Sequence, residues 1–273
     1  WNGLRDVEDS RNVCLTLPRF LLRAPYGPQN EIADFDYEEN AVEGDDLCWG
    51  NAAFALATRV VDSFAKYRWC PNIIGPKSGG AVTGLPSYVY DRDGKFFVAG
   101  PVEIPISDRR EYEFSNLGFA PLTLRKGTDN ASFFSANSIQ KTKFFGSDAE
   151  AKQAELNYKL GTQLPYLFVV TRLAHYLKVL QRENLGGWVS RGEIEAELNR
   201  WIRSYVADQE NVPSAMRSSR PLRNAKIAVS DIPSSAGWFA ISMEVTPHFK
   251  FMGANFTLSL TGSVEAGEAA AEA

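Results

Sequence analysis

Histidine, cysteine and long apolar runs are what this sequence has least of. Only His175 and His248 carry imidazole, and only Cys14, Cys48 and Cys70 carry a thiol, in 273 residues. The cysteines are odd in number, widely spaced and form no CxxC. This excludes a disulfide framework and a Cys/His zinc site, and the thiols read as small buried or half-buried groups of a reducing cytoplasm. No apolar run has the length needed to cross a bilayer. No basic segment followed by an apolar stretch marks a signal peptide. The chain opens on Trp1 and reads as the interior of a longer, soluble protein. The net charge is −4 with both signs spread along the chain, so no concentrated basic surface awaits a nucleic acid.

Catalytic signatures are equally sparse. No GxSxG, HExxH or paired-carboxylate pattern is present. His175 lies mid-helix in a largely apolar segment and His248 on the polar-facing side of a strand, and both read as structural. The acidic stretch from Glu31 to Asp46 lacks the DxDxDG spacing of a calcium loop and reads as a solvated loop. No metal and no cofactor are expected. One segment keeps an enzymatic reading open. Residues 71–86 are rich in glycine and proline, and Lys77 and Ser78 follow Gly75 and Pro76. The spacing is not that of a P-loop, which needs GxxxxGK[ST]. A mobile phosphate or substrate lid over Gly75–Gly84 is therefore the enzymatic alternative.

What is there suits a mixed α/β fold. Hydrophobic residues make up 44% and charged residues 23%, enough for one large domain or two modest ones. A short strand over Asn12–Leu17 stops at Pro18. A helix follows over Asn51–Tyr67, with Ala57, Val60, Val61 and Phe64 as its apolar face. Phe96–Val98, Val102–Ile106 and Phe119–Leu124 read as strands. Ser107 can cap a short charged helix, Asp108–Asn116, closed by Gly118. Arg125–Lys143 is polar and irregular.

A helical stretch comes next. Ser147 and Glu150 form a capping box for a helix to Leu160. A second helix, Pro165–Glu183, is apolar almost all round and stops at Gly186 and Gly187. Ser190 and Glu193 open a third, lined by Ile194, Leu198, Trp201, Ile202 and Tyr205. Three alternating strands follow. Ala225, Ile227 and Val229 face one way in the first. Phe239, Ile241, Met243 and Val245 do so in the second, and Phe256, Leu258 and Leu260 in the third. Turns at Pro233–Gly237 and Gly253 join them. Such strands suit an antiparallel sheet wet on one side. The expected segments are 1–125, an α/β part; 126–221, a helical part; 222–262, the terminal strands; and 263–273, a flexible tail.

The densest mixed charge is Asp108, Arg109, Arg110 and Glu111. It reads either as a solvated helix face or as a docking surface whose opposite charges fix register on a partner.

Several longer words occur together: Leu17–Gly27 (LPRFLLRAPYG), Trp49–Ala55 (WGNAAFA), Asp108–Glu111 (DRRE) and Arg125–Ala131 (RKGTDNA). Phe133–Ser138 (FFSANS), Leu160–Tyr166 (LGTQLPY), Leu180–Asn184 (LQREN), Tyr205–Asn211 (YVADQEN) and Pro247–Gly253 (PHFKFMG) continue them. In this order they resemble the C-terminal part of the large subunit of the type VI secretion contractile sheath, the TssC/VipB family, over nearly the whole chain to Gly262. The resemblance implies a structural protein rather than an enzyme. It implies pairing with the small sheath subunit (TssB/VipA family), and further copies of itself in a six-fold helical tube around an Hcp inner tube. The ClpV ATPase would act on the contracted sheath through the small subunit. The setting would be the cytoplasm of a Gram-negative bacterium, with no nucleic acid and no membrane insertion.

Sheaths of this kind interlace subunits by passing strands between neighbours, so the terminal strands are expected to pair across subunits through Phe239, Ile241, Met243, Val245, Phe256, Leu258 and Leu260. Asp108, Arg109, Arg110 and Glu111 are the expected inner-tube contact.

Overall fold

A computed structural model describes residues 1–146, 148–183, 190–208, 213–232, 238–248 and 258–265; the side chains of 149, 153, 156, 157 and 258–265 are not described. Two compact units divide the chain: Trp1–Ser63 with Asn72–Lys141, and Phe64–Pro71 with Thr142–Ala273. Both mix helices and sheets, as the element pattern predicts.

The first unit opens with helix α1 (Asn2–Asp6), a 3-10 turn (Glu8–Asn12) and strand β1 (Leu15–Leu17). Strand β1 stops before Pro18, whose ring nitrogen has no hydrogen to continue a ladder. Strands β2 (Phe20–Leu21) and β3 (Trp49–Gly50) pair antiparallel. Helix α2 (Ala52–Tyr67) follows, its last turn belonging to the second unit, and then β4 (Ala81–Val82), β5 (Tyr88–Arg92) and β6 (Lys95–Ala99). Helix α3 (Asp108–Asn116), β7 (Phe119–Leu124) and β8 (Ala131–Phe133) complete the unit. The main sheet has the order β1-β7-β8-β4, with β1 parallel to β7 and the other pairs antiparallel.

Strand β7 carries Pro121 at its middle, which a central strand normally excludes. Its first half, Phe119–Pro121, pairs with β1 and its second half, Leu122–Leu124, with β8. The proline thus sits where the strand changes partner. Four of its six residues are buried, as befits a strand covered on both faces. Strands β5 and β6 form a separate hairpin, turned at Asp93 and Gly94, both with positive φ (54° and 75°) as a two-residue hairpin turn requires.

Three readings need correction here. The apolar face expected for α2 is not its buried face. Ala52, Ala55, Leu56 and Ser63 are buried, mostly small residues that let the helix approach closely. Phe54 is 70% and Val61 67% exposed. Val102–Ile106 is no strand, because Pro101 and Pro105 remove backbone donors and only Val102 pairs, in a single bridge with Phe20. Within the irregular 125–143 stretch lies β8, three residues long and too short to show a period.

In the second unit, helices α4 (Ala149–Gly161), α5 (Leu164–Glu183), α6 (Arg191–Arg203) and α7 (Ser214–Ser219) precede β9 (Leu222–Asp231), β10 (Trp238–Pro247) and β11 (Leu258–Glu265). Asp148 holds the cap position of α4; Ser147 lies outside the described residues, as do Gly186, Gly187, Pro233–Gly237, Gly253, Phe256 and residues 266–273. At α6 the expected cap is present, Ser190 Oγ accepting from the Glu193 N–H at 3.4 Å. The three strands form an antiparallel sheet in the order β11-β10-β9.

One face of that sheet makes the core. Ile227, Val229, Phe239, Ile241, Met243 and Val245 pack against Val169, Leu173 and Leu177 of α5 and Ile194, Leu198 and Ile202 of α6. Each such side chain contributes about 1.5–3 kcal/mol on burial, so this face fixes the register of β9 and β10: a one-residue slip would turn all six to water. Trp69 joins the same core, and the Arg172 guanidinium lies 4.5 Å from its ring centre.

Candidate assembly surfaces

Helix α3 is held rigidly on the first unit. Asn137 Nδ2, buried, donates to Ser115 O at 2.8 Å and to Ser115 Oγ at 2.7 Å, pinning the last turn. Gly118 closes the helix at φ +88°, and a Cβ there would stand 2.8 Å from the Ile139 Cα. Only glycine fits both the angle and the approach. The neighbouring α1 docks at the same end. Arg5, buried, donates from Nε to Ile139 O at 2.7 Å and from Nη2 to Asn116 O at 3.0 Å. Trp1 donates to Leu117 O at 3.2 Å and stacks on Phe119 with ring centres 5.2 Å apart.

On this platform Asp108, Arg109 and Arg110 are exposed, and Glu111 is half-buried. The structure does not bring the four together on one face. Glu111 turns inward to accept from Ser135 Oγ at 2.5 Å. Burial raises its pKa above the usual carboxylate range; the Ser135 bond opposes the shift and the Asp108 charge adds to it. The outer charge set is instead Asp108, Arg109, Arg110 and Glu113. Glu113 accepts from Arg109 Nε at 3.2 Å and from Arg110 Nη1 at 2.9 Å. Its spacing of i+4 and i+3 from the two arginines was the available signal. Ser107 occupies the cap position but makes no side-chain cap bond. Asp108 and Glu111 in the first turn instead set carboxylates at the positive end of the helix dipole, which they complement.

The terminal strands are placed differently from the expectation. Phe239, Ile241, Met243 and Val245 face the unit's own core. Strand β10 is central, with β9 on one side and β11 on the other, so both of its backbone edges are occupied within this chain. Leu258 and Leu260 lie on β11, in register with Val245 and Met243. Any pairing with a neighbour therefore falls to an outer edge of the sheet, not to β10.

The glycine-rich loop is locked rather than free. Gly75 N–H donates to Phe133 O at 2.7 Å, Gly80 N–H to Gly75 O at 2.9 Å, and Phe133 N–H to Gly80 O at 3.0 Å. Ser78 Oγ donates to Ile74 O at 2.6 Å. Gly79 (φ +102°) lets the chain pass where a Cβ would lie 2.1 Å from Asn72 O. The Gly75, Ser78 and Gly80 amides are thus already engaged, and Gly79 and Gly80 serve close packing.

The acidic segment holds one buried charge. Glu39, with its side chain 3% exposed, takes both oxygens to Arg23 at 2.6 and 2.8 Å and accepts from the Tyr26 N–H at 3.0 Å. The Arg23 hydrogen bonds hold the Glu39 pKa below the usual range. The other carboxylates between Glu31 and Asp46 are in or near solvent. Among the described residues no three of His, Cys, Asp and Glu converge to hold a metal, and no helix is long and apolar enough to cross a membrane.

Residues 1–140 match the family described as EvpB/VC_A0108, tail sheath N-terminal domain, and residues 153–264 match EvpB/VC_A0108, tail sheath gpW/gp25-like domain. The chain belongs to the VipB tail sheath family. The break between the two matches falls at the Lys141–Thr142 boundary of the compact units. The chain is also 36% identical, over 99% of its length, to the type VI secretion system sheath protein TssC1 of Pseudomonas aeruginosa. It spans about half the length of that curated relative, 54%. The open-ended sheet of β9–β11 thus belongs to the gpW/gp25-like part, and the charged α3 to the N-terminal sheath part.

Proposed function

We propose that this chain is a structural, non-catalytic piece of the large subunit of a type VI secretion contractile sheath. It pairs with the small sheath subunit and with further copies of itself in a helical six-fold tube that surrounds an Hcp inner tube and contracts to drive it. The observation that carries the reading is the three-stranded sheet in the gpW/gp25-like part of a chain of this family. Its central strand is saturated and, among the described residues, one outer row of backbone groups is bare, so an extended strand from a neighbour can continue the ladder. Each added backbone bond nets only about 0.5–1.5 kcal/mol, yet a ladder repeated through a lattice holds subunits together while their other interfaces repack.

Further support comes from large apolar side chains in water. Phe96 and Val98 on the β5–β6 hairpin are each 75% exposed, and Phe54 and Val61 stand out from α2. Exposed apolar groups on this scale suit a subunit whose surface is covered on assembly. Asp108, Arg109 and Arg110, fixed on the rigid α3 platform, are assigned the inner-tube contact. Recycling by ClpV is assigned to the small subunit. The enzymatic alternative is weakened, since the Gly75, Ser78 and Gly80 amides are already engaged.

Co-expression of the full chain with a small sheath subunit tests the reading. Tubes that pellet on ultracentrifugation and contain both chains are expected. A monodisperse monomer that binds nucleotide would replace the sheath reading with the enzymatic one.

A further inference from the structure

The two outer edges of the β9–β11 sheet are not equivalent. Helix α6 lies along the outer side of β9 and meets it at three successive turns. Arg191 Nη1 reaches Asp231 Oδ2 at 3.1 Å. Glu195 Oε2 accepts from the Val229 N–H at 3.2 Å. The Asn199 side-chain amide bonds Ile227 twice, Oδ1 accepting from its N–H at 3.1 Å and Nδ2 donating to its carbonyl at 2.7 Å. Residues i, i+4 and i+8 of a helix rise about 6 Å per step, and every second residue of a strand advances about 6.6 Å. The helix and the strand edge therefore stay in step for three rungs. Asn199 Nδ2 also donates to Glu195 O at 2.8 Å, which orients the amide. Its paired donor and acceptor stand where a neighbouring strand's backbone would stand.

The alternation of an antiparallel ladder fixes the other edge. Ile227 and Val229 point their amides outward from β9, so Ala228 and Lys226 bond β10 at Ser242 and Glu244. Strand β10 then turns the backbone groups of Ile241 and Met243 to Gly262 and Leu260 of β11. That leaves the backbone of Ser259, Thr261 and Ser263 pointing away from the sheet. Among the described residues no strand pairs with that side.

We propose that Asn199 and Glu195, with Arg191, form an edge lock: they close β9 to strand addition and confine a neighbour's strand to β11. The lock makes the lattice contact one-sided. An edge left open on both sides would admit strands in two places and favour disordered aggregation. The proposal rests on the reading that this sheet is extended by a strand from another subunit.

Residue-resolved hydrogen exchange on the full chain, alone and assembled with a small sheath subunit, separates the two. In the unassembled chain the Ile227 and Val229 amides should exchange at least tenfold more slowly than those of Ser259, Thr261 and Ser263. Assembly should protect the latter three. Equal exchange at both edges in the unassembled chain overturns the lock. Slow Ile227 and Val229, with Ser259–Ser263 still unprotected in the mixture, leaves the lock standing and overturns the strand-addition reading.

The double variant Asn199→Ala with Glu195→Ala should speed exchange at Ile227 and Val229 at least tenfold. A photo-crosslinking residue at position 228 should then capture a neighbouring subunit, as one at position 261 is expected to do in the wild type. Glu195→Gln keeps an acceptor oxygen and should behave as the wild type. Capture at 228 in the wild type, or no gain in the double variant, contradicts the assignment. If the double variant does not fold, the wild-type exchange and crosslinking comparisons decide alone.

Discussion

Reversing the charges at the tip of α3 separates folding from assembly. Consider Asp108→Lys with Arg109→Glu. Arg109 is 90% exposed and its partner Glu113 40% exposed. Such an i,i+4 pair is worth about 0.3–0.5 kcal/mol. Asp108 in the first turn gains about 0.3–1 kcal/mol from the helix dipole. Losing both, and setting a second carboxylate at position 109 against Glu113, costs the fold roughly 1–2 kcal/mol, which is a few degrees of melting temperature. Asn137, Gly118 and Arg5 hold the platform from the other end of the helix and are untouched. At an interface the same reversal places like charges against the partner. Taking only about 1 kcal/mol per contact, six contacts in one ring sum to about 6 kcal/mol, roughly a 10⁴-fold loss in association. Thermal melting of the isolated chain and pelleting of sheath with inner tube read the two effects separately. A small shift in melting with tube-bound sheath lost is expected. A double variant that still retains the inner tube refutes the placement of α3 at that contact.

Three further outcomes follow from the packing. Glu111 has a raised pKa in the folded chain, so its native state holds its proton more tightly and stability falls as pH rises from the ordinary carboxylate value through the raised one. Glu111→Gln should therefore raise the melting temperature near pH 7 and change it little near pH 4; an equal effect at both pH values would place the carboxylate in water. Arg23→Ala strands the buried Glu39 carboxylate and should cost about 3 kcal/mol in denaturant unfolding at neutral pH, less than a fully buried pair because Arg23 is itself about one-third exposed. The loss should shrink in acid as Glu39 protonates. Gly118→Ala meets both a left-handed φ and the Ile139 backbone, and should cost at least about 2 kcal/mol by the same measurement.

Local pattern carried most of the fold. The alternation of Ile227 and Val229 and of Phe239–Val245 gave the terminal sheet its inner face, and the spacing of Ile194, Leu198 and Ile202 gave α6 its own. Helix boundaries were legible where caps and prolines mark them, at Ser190 and Leu164–Pro165. What was not legible depends on contacts across long stretches of sequence. The amphipathic spacing of α2 points to Val61 and Phe64, yet a face of mostly small residues is the one that packs. A period reports which residues are apolar, not which neighbour arrives. The same limit hid which strand is central, because each of the three reads alike until their order is known.

The surfaces were harder still. Asp108, Arg109 and Arg110 announced themselves by charge density, but the inward turn of Glu111 depends on Ser135, 24 residues away. Arg5 and Asn137 are polar residues in unremarkable settings whose work is to hold α3 from distances of 111 and 22 residues. Asn199 and Glu195 lie outside the apolar set Ile194, Leu198, Trp201, Ile202 and Tyr205 that the spacing of α6 marks. Their role exists only once β9 lies alongside.

A reconstruction of the assembled tube by electron cryo-microscopy tests the central claim most directly. The expected reconstruction is a helical tube in which a strand from a neighbouring subunit lies against Ser259–Ser263 on the outer edge of β11, while α6 still covers β9. A tube in which the outer edge of β11 stays bare, with subunits joined only through side-chain contacts elsewhere, would contradict it.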